Sequence, residues 1–528
     1  MRKIVAMAVI CLTAASGLIS AYAAQLADDE AGLRIRLKNE LRRADKPSAG
    51  AGRDIYAWVQ GGLLDFNSGY YSNIIGVEGG AYYVYKLGAR ADMSTRWYLD
   101  GDKSFGFALG AVKIKPSENS LLKSGRFGTD YSYGSLPYRI PLMAGSSQRT
   151  LPTVSEGALG YWALTPNIDL WGMWRSRVFL WTDSTTGIRD EGVYNSQTGK
   201  YDKHRARSFL AASWHDDTSR YSLGASVQKD VSNQIQSILE KSIPLDPNYT
   251  LKGELLGFYA QLEGLSRNTS QPNETALVSG QLTWNAPWGS VFGSGGYLRH
   301  AMNGAVVDTD IGYPFSLSLD RNREGMQSWQ LGVNYRLTPQ FTLTFAQIVT
   351  RGYESSKRDV RIEGAGILGG MNYRVSEGPL QGMNFFLAAD KGREKRDGST
   401  LGDRLNYWDV KMSIQYDFML KSEITPERKT SAFQIVDKVR VFLCRMRCKR
   451  LIQPTKTHKF KVLQEKVGLI SVAHQAISGL FSDENAEVKI LRRFGRELLL
   501  RNCRYSRNVK SWHRKHTNEI FQWHFLPV

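Results

Sequence analysis

Sulfur is nearly missing from the body of this 528-residue chain. Its four cysteines are Cys11, Cys444, Cys448 and Cys503, so residues 24–420 hold none. That excludes a disulfide framework or a thiolate metal site in that stretch. Histidine is almost as scarce there, with only His204, His215 and His300. His204 sits in the charged run YDKHRAR, and His215 in WHDD stands beside two acids near a strand end, which suits a surface position. No G-x-S-x-G or H-E-x-x-H occurs. The chain is therefore expected not to be an enzyme and to carry no cofactor or metal. Past position 24 there is also no apolar run long enough to cross a bilayer as a helix. A secreted chain of this kind is either soluble or crosses a membrane as strands.

Export is written at the start. MRKIVAMAVICLTAASGLISAYA opens on Arg2 and Lys3, continues through an apolar run that includes Cys11, and ends on the small-x-small site Ala21-Tyr22-Ala23. Residues 1–23 read as a secretory signal peptide. Charge then divides the remainder. Residues 1–420 hold 46 Lys and Arg against 41 Asp and Glu, whereas residues 421–528 hold 23 against 9. Of 50 glycines only Gly468, Gly479 and Gly495 fall in the last part. The basic balance of the whole chain is mostly a property of its tail.

What the body does have is alternation, glycine and aromatic rings. In DVKMSIQYDFML (409–420), Val410, Met412, Ile414, Tyr416, Phe418 and Leu420 alternate with polar residues. SWQLGVNYRL sets Trp329, Leu331, Val333, Tyr335 and Leu337 against Gln330, Asn334 and Arg336. RYSLGASVQ, GMNYRV, QFTLTF and LRIRLK repeat the pattern around Tyr221, Tyr373, Phe341 and Ile35. A period of two puts successive side chains on opposite faces of a strand. Two architectures satisfy it: a sandwich with the apolar face inward, or a membrane barrel with the apolar face in lipid and the polar face on a lumen. Aromatics near the ends of segments, short turns alternating with long polar loops such as 182–208, and the cysteine-free exported body lean toward the barrel.

If the apolar faces meet lipid, the polar faces supply lumen residues: Arg34, Arg36, Lys38, Arg220, Arg336, Arg374 and Lys411. IDLWGMWRSRVFLW adds Arg175 and Arg177, provided that Ile168, Leu170, Trp174, Val178 and Leu180 face lipid. Guanidinium groups at strand spacing would pass a carboxylate through successive weak contacts. The bland reading is a solvated wall in which Asp409 and Asp417 pair with these cations. YSYGSLPYRIPLMAGSSQRTLP (131–152) cannot ladder regularly because of Pro137, Pro141 and Pro152. It is the candidate constriction, with Arg139 and Arg149, or else a plug that touches no solute.

RDIYAWVQGGLLDFNSGYYSNIIGVEGGAYYVYKLGARAD (53–92), GAVKIKPSENSLLKSGRFGTDYSYGSLP (110–137) and SSQRTLPTVSEGAL (146–159) resemble the OprD family of outer-membrane porins. The resemblance runs on through SIPLDPNYTLKGELLGFYAQLEG to DVKMSIQYDFML, covering roughly 24–420. It implies an all-β, transmembrane antiparallel barrel of about eighteen strands in a bacterial outer membrane, monomeric or trimeric and narrowed by infolded loops. Implied partners are outer-membrane lipid and lipopolysaccharide, the barrel-assembly machinery and small hydrophilic solutes; no nucleic acid is expected for the barrel. Implied cargo is carboxylates or amino acids, with a chitooligosaccharide or other sugar-selective porin as the alternative and a non-conducting surface-binding barrel or barrel hydrolase behind it. Arg126 joins the pore-lining candidates at a position where the family often has an acid. In the first strand Lys38, Glu40 and Leu41 depart from the family pattern.

Residues 421–528 change style. VRVFLCRMRCKRLIQ and EVKILRRFGRELLLRNCRYSRNVKSWHRKH space their apolar residues closer to a helical period. Cys444, Cys448, Cys503, His513 and His516 match no zinc spacing well. The expected domains are thus 1–23, a barrel at 24–420, and an unrelated basic extension at 421–528 with helical patterning, read as a fusion or frameshift product.

Overall fold

A strand that is apolar on one side and polar on the other must bury or immerse each side, and its edges must find partners. Both demands are met here by closure. The computed structural model describes residues 31–45, 54–89, 103–130, 136–143, 150–179, 188–195, 200–202, 205–267, 272–302, 312–398 and 404–421. The expected signal peptide and basic extension lie outside the described residues, apart from Lys421.

In chain order the strands are β1 (Gly32–Asp45), β2 (Ile55–Asn67), β3 (Ile75–Ala89), β4 (Lys103–Ile114), β5 (Ser120–Gly128), β6 (Val154–Thr165), β7 (Ile168–Phe179), the short β8 (Arg189–Asp190), β9 (Val193–Asn195) and β10 (Lys200–Asp202), then β11 (Arg207–His215), β12 (Ser219–Gln228), β13 (Ser232–Asp246), β14 (Tyr249–Leu262), β15 (Glu274–Ala286), β16 (Gly289–Leu298), β17 (Glu324–Thr338), β18 (Phe341–Tyr353), β19 (Arg361–Arg374), β20 (Asn384–Asp397) and β21 (Arg404–Lys421). Long strands pair antiparallel with their sequence neighbours, and β7 pairs with β11 across the short β8–β10. The opening strand then meets the closing one, from Gly32 opposite Lys421 to Asp45 opposite Trp408. Leaving aside β8–β10, the wall is a closed barrel of eighteen strands. Closure pairs every strand edge, the condition for crossing a bilayer without helices.

The faces sort as the alternation requires. Trp329, Leu331, Leu223, Leu210, Ile235, Val278, Leu282, Phe345 and Ile367 are large, apolar and exposed, and by pairing register they all lie on the outer wall. Such a surface is stable in hydrocarbon and costly in water. The opposite face of β1 carries Arg34, Arg36, Lys38, Glu40 and Arg42.

One expectation needs correcting: the interior is not polar throughout. The inward face of β2–β4 presents Ala57, Val59, Leu63, Tyr82, Val84 and Ala108, packed with Leu151. A second interior cluster joins Leu159, Trp171, Met173 and Phe209 on the wall to Leu136, Ile140, Leu142 and Met143. The cause is that loops fold inward and bury their own apolar residues against the wall. The longest connections, including 129–153 and 299–323, leave one rim; at the other rim most turns are short, such as 166–167 and 339–340, and the longest is 375–383. Short turns mark the periplasmic rim in barrels of this kind.

Candidate functional site

The lumen is built from two infolded segments and the wall they leave uncovered. The first, 136–143, lies on the inner faces of β12 and β13. The Leu142 N–H donates to Gln236 Oε1 at 2.7 Å. A side chain at Gly224 would come within 2.8 Å of Pro141, so only glycine admits so close an approach. Tyr138 donates to Asp169 at 2.7 Å and packs edge-on against Trp171, and the Arg220 guanidinium lies over its ring at 4.1 Å. Burial first, then the Asp169 charge, push the Tyr138 phenol up, so it remains a donor. Farther along the same connection, Thr150 donates to Glu40 at 3.2 Å and covers the middle of β1.

Sequence reasoning missed the second segment, 312–323. Tyr313 donates to Glu254 at 2.9 Å, and Phe315 exchanges two backbone hydrogen bonds with the Gln330 side chain. Asp390 on β20 then accepts from the Leu317 and Ser318 amides and from the Ser316 and Ser318 hydroxyls, at 2.7–3.2 Å. Leu319 fills the space over Gly366 and Gly392. Glu254 ties the two segments together, because Arg139 of the first stands 3.5 Å from its other oxygen. The signal was present in the run SLSLD and in an inward Asp on a strand, but nothing local says which loop reaches which wall.

A third connection is pinned by Glu191, whose carboxylate takes two hydrogen bonds from Arg175 (2.7 and 2.9 Å) and one from Arg207 (3.1 Å). Burial raises the Glu191 carboxyl, but the two guanidinium groups outweigh it and hold it below its ordinary value. A carboxyl depressed on folding contributes stability above its unfolded pKa and loses it as pH falls through the lower folded value. Protease cleavage of 180–206 on the intact barrel is therefore expected to be slow at neutral pH and to accelerate only below the usual carboxylate range. Glu191→Gln is expected to cleave fast at every pH, since an unpaired buried partner costs about 3–5 kcal/mol. A flat pH profile shared by both proteins would refute the pin.

The pore-lining candidates separate into three groups. Arg34, Arg36, Lys38 and Lys411 share one column on β1 and β21, with Arg42. Their inward neighbours are acids: Arg36 forks onto Asp417 at 2.8 and 2.9 Å, Arg34 is 3.6 Å from the same carboxylate, Lys38 and Lys411 stand 3.4 and 3.0 Å from Glu40, and Arg42 grips Asp409 at 2.6 Å. The column alternates in sign. Arg34 and Asp417 are about 30% exposed, whereas Arg36, Lys38, Arg42 and Lys411 are buried. Arg220, Arg336 and Arg374 share the inward register near the short-turn rim; Arg220 reaches Glu240 at 3.3 Å, while Arg336 and Arg374 are exposed. Arg175 also faces inward.

Arg177 and Arg126 do not. A bulge on β7 opposite Glu156–Gly157 inserts one residue, so Arg175 points in, Arg177 points out, and Val178 turns inward and is buried. The expectation that Val178 meets lipid and Arg177 the lumen fails for that reason. Arg126 is directly opposite Glu156 on the outward register, bound to it at 2.7 Å, and Arg177 reaches the same acid at 3.4 Å. Arg149 and His204 lie outside the described residues. His215 and His300 are held by Asp169 at 3.2 Å and Glu324 at 3.0 Å. Among the described residues no group of three His, Cys, Asp or Glu is arranged to hold a metal ion.

Below the infolded segments the inward residues change character. Thr342, Thr344, Asn334 and Asn372 are half-exposed, while Ile348, Thr350, Ser328 and Gln330 nearer the long-loop rim are buried. On this sector, β17–β19, the barrel is narrowed in its long-loop half and opens toward the short turns, where neutral polar residues flank the exposed Arg336 and Arg374.

A curated relative decides the family. Membrane-associated protein UidC of Escherichia coli (strain K12) is 99% identical over 421 residues, which are all of that protein and 80% of this chain. The chain belongs to the family of that protein. No protein-family model matches it. Among solved structures, similar folds are Acinetobacter baumannii OccAB3 (TM-score 0.61, 16% identity, 74% of this chain and 99% of that one), a BenF-like porin from Pseudomonas fluorescens Pf-5 (0.59, 18%, 76% and 100%) and Pseudomonas aeruginosa OpdK with vanillate (0.57, 17%, 74% and 99%). The fold is thus that of porin barrels, and the chain is a multi-pass β-barrel of the bacterial outer membrane.

Proposed function

We propose that this barrel is a porin of the OprD type, through which small hydrophilic solutes bearing a carboxylate, carboxylic acids or amino acids, diffuse across the outer membrane. The observation that carries the proposal is the sign-alternating column on β1 and β21, open to water at Arg34 and Asp417. With Arg336 and Arg374 exposed on the same inward register, it offers bidentate donors to a carboxylate. Its interleaved acids suit the ammonium of an amino acid and keep each contact weak enough for release. Vanillate, named with one barrel of the same fold, is a carboxylate. The long-loop half supplies the constriction, with Arg139, Glu254 and Tyr313 at its waist.

Residues 422–528 are proposed to be an appended segment with no part in transport. The 421 matched residues equal the length of the chain through Lys421, the last residue of β21.

Swelling of liposomes loaded with the full chain, and with a chain ended at Lys421, tests both readings. Carboxylates and amino acids are expected to enter faster than neutral sugars of the same size and faster than cationic amines, with one order of preference for both proteins. Faster entry of amines would refute the carboxylate reading, no swelling at all would refute the porin, and a changed order on truncation would give the tail a role.

A further inference from the structure

The outer wall is not uniformly suited to hydrocarbon. On β20 the outward residues run Phe385, Leu387, Ala389 and then Lys391, Arg393 and Lys395 toward the long-loop rim. On β21 they run Met412, Val410, Trp408 and then Asn406 and Arg404, with Lys391 opposite Trp408, Arg393 opposite Asn406 and Lys395 opposite Arg404. On β1 the corresponding outward residue is Arg43, opposite Val410, with its guanidinium 5.5 Å from the centre of the Trp408 ring. Trp408 marks the level where an aromatic girdle meets the headgroups. Around it three adjacent strands present five exposed cations: Arg43 opposite Val410, Lys391 level with Trp408, and Arg393, Lys395 and Arg404 beyond it toward the long-loop rim.

Among the described residues the acids on this face are Asp45 with Asp54 beside it, Asp397 and, on β19, Glu363. Lys395 is bound to Asp397 at 2.9 Å, and Glu363 is occupied by Arg361 and, at 3.9 Å, Arg351. Arg43, Lys391, Arg393 and Arg404 have no carboxylate within ion-pair distance among the described residues. Elsewhere at this rim the outward arginines Arg126, Arg177, Arg351 and Arg361 each have a carboxylate partner. On β12–β16 the outward strand residues at the same rim are Val227, Asn233, Gln261, Glu274 and Tyr297, none of them basic.

We propose that this patch is a binding site for the phosphorylated acyl-disaccharide headgroup of lipopolysaccharide in the outer leaflet. Three of its four unpaired cations are arginines, which hold phosphate oxygens bidentately and stay charged. They stand at headgroup height, at the upper edge of the apolar band of Phe385, Leu387 and Met412 that receives acyl chains. Phosphate density is what distinguishes this leaflet, and clustered Lys and Arg beside a membrane-spanning wall recognise anionic lipid headgroups. The site depends on the barrel sitting in an outer membrane and not on what it conducts.

The test is native mass spectrometry of the full chain, extracted from outer membranes and titrated with bisphosphorylated lipid A, with dephosphorylated lipid A and with phosphatidylglycerol. The comparison protein carries Arg43→Ser, Lys391→Ser, Arg393→Ser and Arg404→Ser, all at exposed outward positions. Lipid A is expected to bind the natural barrel at least tenfold more tightly than either other lipid, and to bind the fourfold variant roughly a hundredfold more weakly. Heat-modifiable mobility checks that the variant is folded. If it is not, Arg393→Ser and Arg404→Ser taken singly are each expected to weaken lipid A binding severalfold. Equal lipid A binding by variant and natural barrel overturns the proposal. So does phosphatidylglycerol binding as tightly as lipid A, or loss of an oligomer in the variant with lipid binding unchanged, which would make the patch a contact between copies.

Discussion

Replacing Asp390 by alanine is expected to raise the single-channel conductance and flatten solute selection while leaving the barrel intact. Asp390 is buried and accepts four hydrogen bonds from three consecutive residues of the second infolded segment. Bonds to a charged acceptor contribute about 1.5–3 kcal/mol each, so losing the set removes more than enough to free a short loop. Ser316, Ser318 and the Leu317 amide can turn to water, whereas the wall strands keep their ladder bonds. Leu319 would leave its seat over Gly366 and Gly392, and Tyr313 its contact with Glu254. Planar-bilayer recordings of the variant beside the natural protein measure the change. Asp390→Asn, which keeps an acceptor, is expected to fall between them. Unchanged conductance with a loop still resistant to protease would mean that Asp390 is not what holds the segment in place.

The second large effect is on charge preference. With Arg34→Gln and Arg36→Gln together, Asp417 loses both of its cations. The column at its water-exposed end then turns from net basic to acidic. Even screened, a unit charge at contact distance contributes about 1 kcal/mol or more, which is roughly fivefold in a permeability ratio. The anion-to-cation permeability ratio, read from reversal potentials across a salt gradient, is expected to fall by at least that factor. Adding Asp417→Asn is expected to restore much of it, which separates charge from damage to the fold. A ratio that stays put in the double variant would make the column structural and locate selection elsewhere.

Much of the barrel was legible from alternation alone. Leu33, Ile35 and Leu37 on β1, Tyr221 and Leu223 on β12, and Trp329 and Leu331 on β17 all face outward as their period requires. The column on β1 and β21 was legible for the same reason. The rule failed at β7, because one inserted residue reverses every later side chain, and no residue type in MWRSRVF announces a bulge. It was blind to the interior as well. Val59, Leu63 and Tyr82 face inward and are apolar, which period two alone would assign to lipid; they are buried because a loop distant in sequence covers them.

By itself the sequence determined that the chain is exported, that its body forms amphipathic strands, and which face of most of them is apolar, since these depend only on neighbours along the chain. Tertiary structure alone decided that β1 closes on β21, that two loops meet at Glu254, that the cations of the column are interleaved with acids, and that four others gather on the outer rim. Each of these joins residues far apart in sequence, and the free energy of such contacts depends on distances that only the closed barrel fixes.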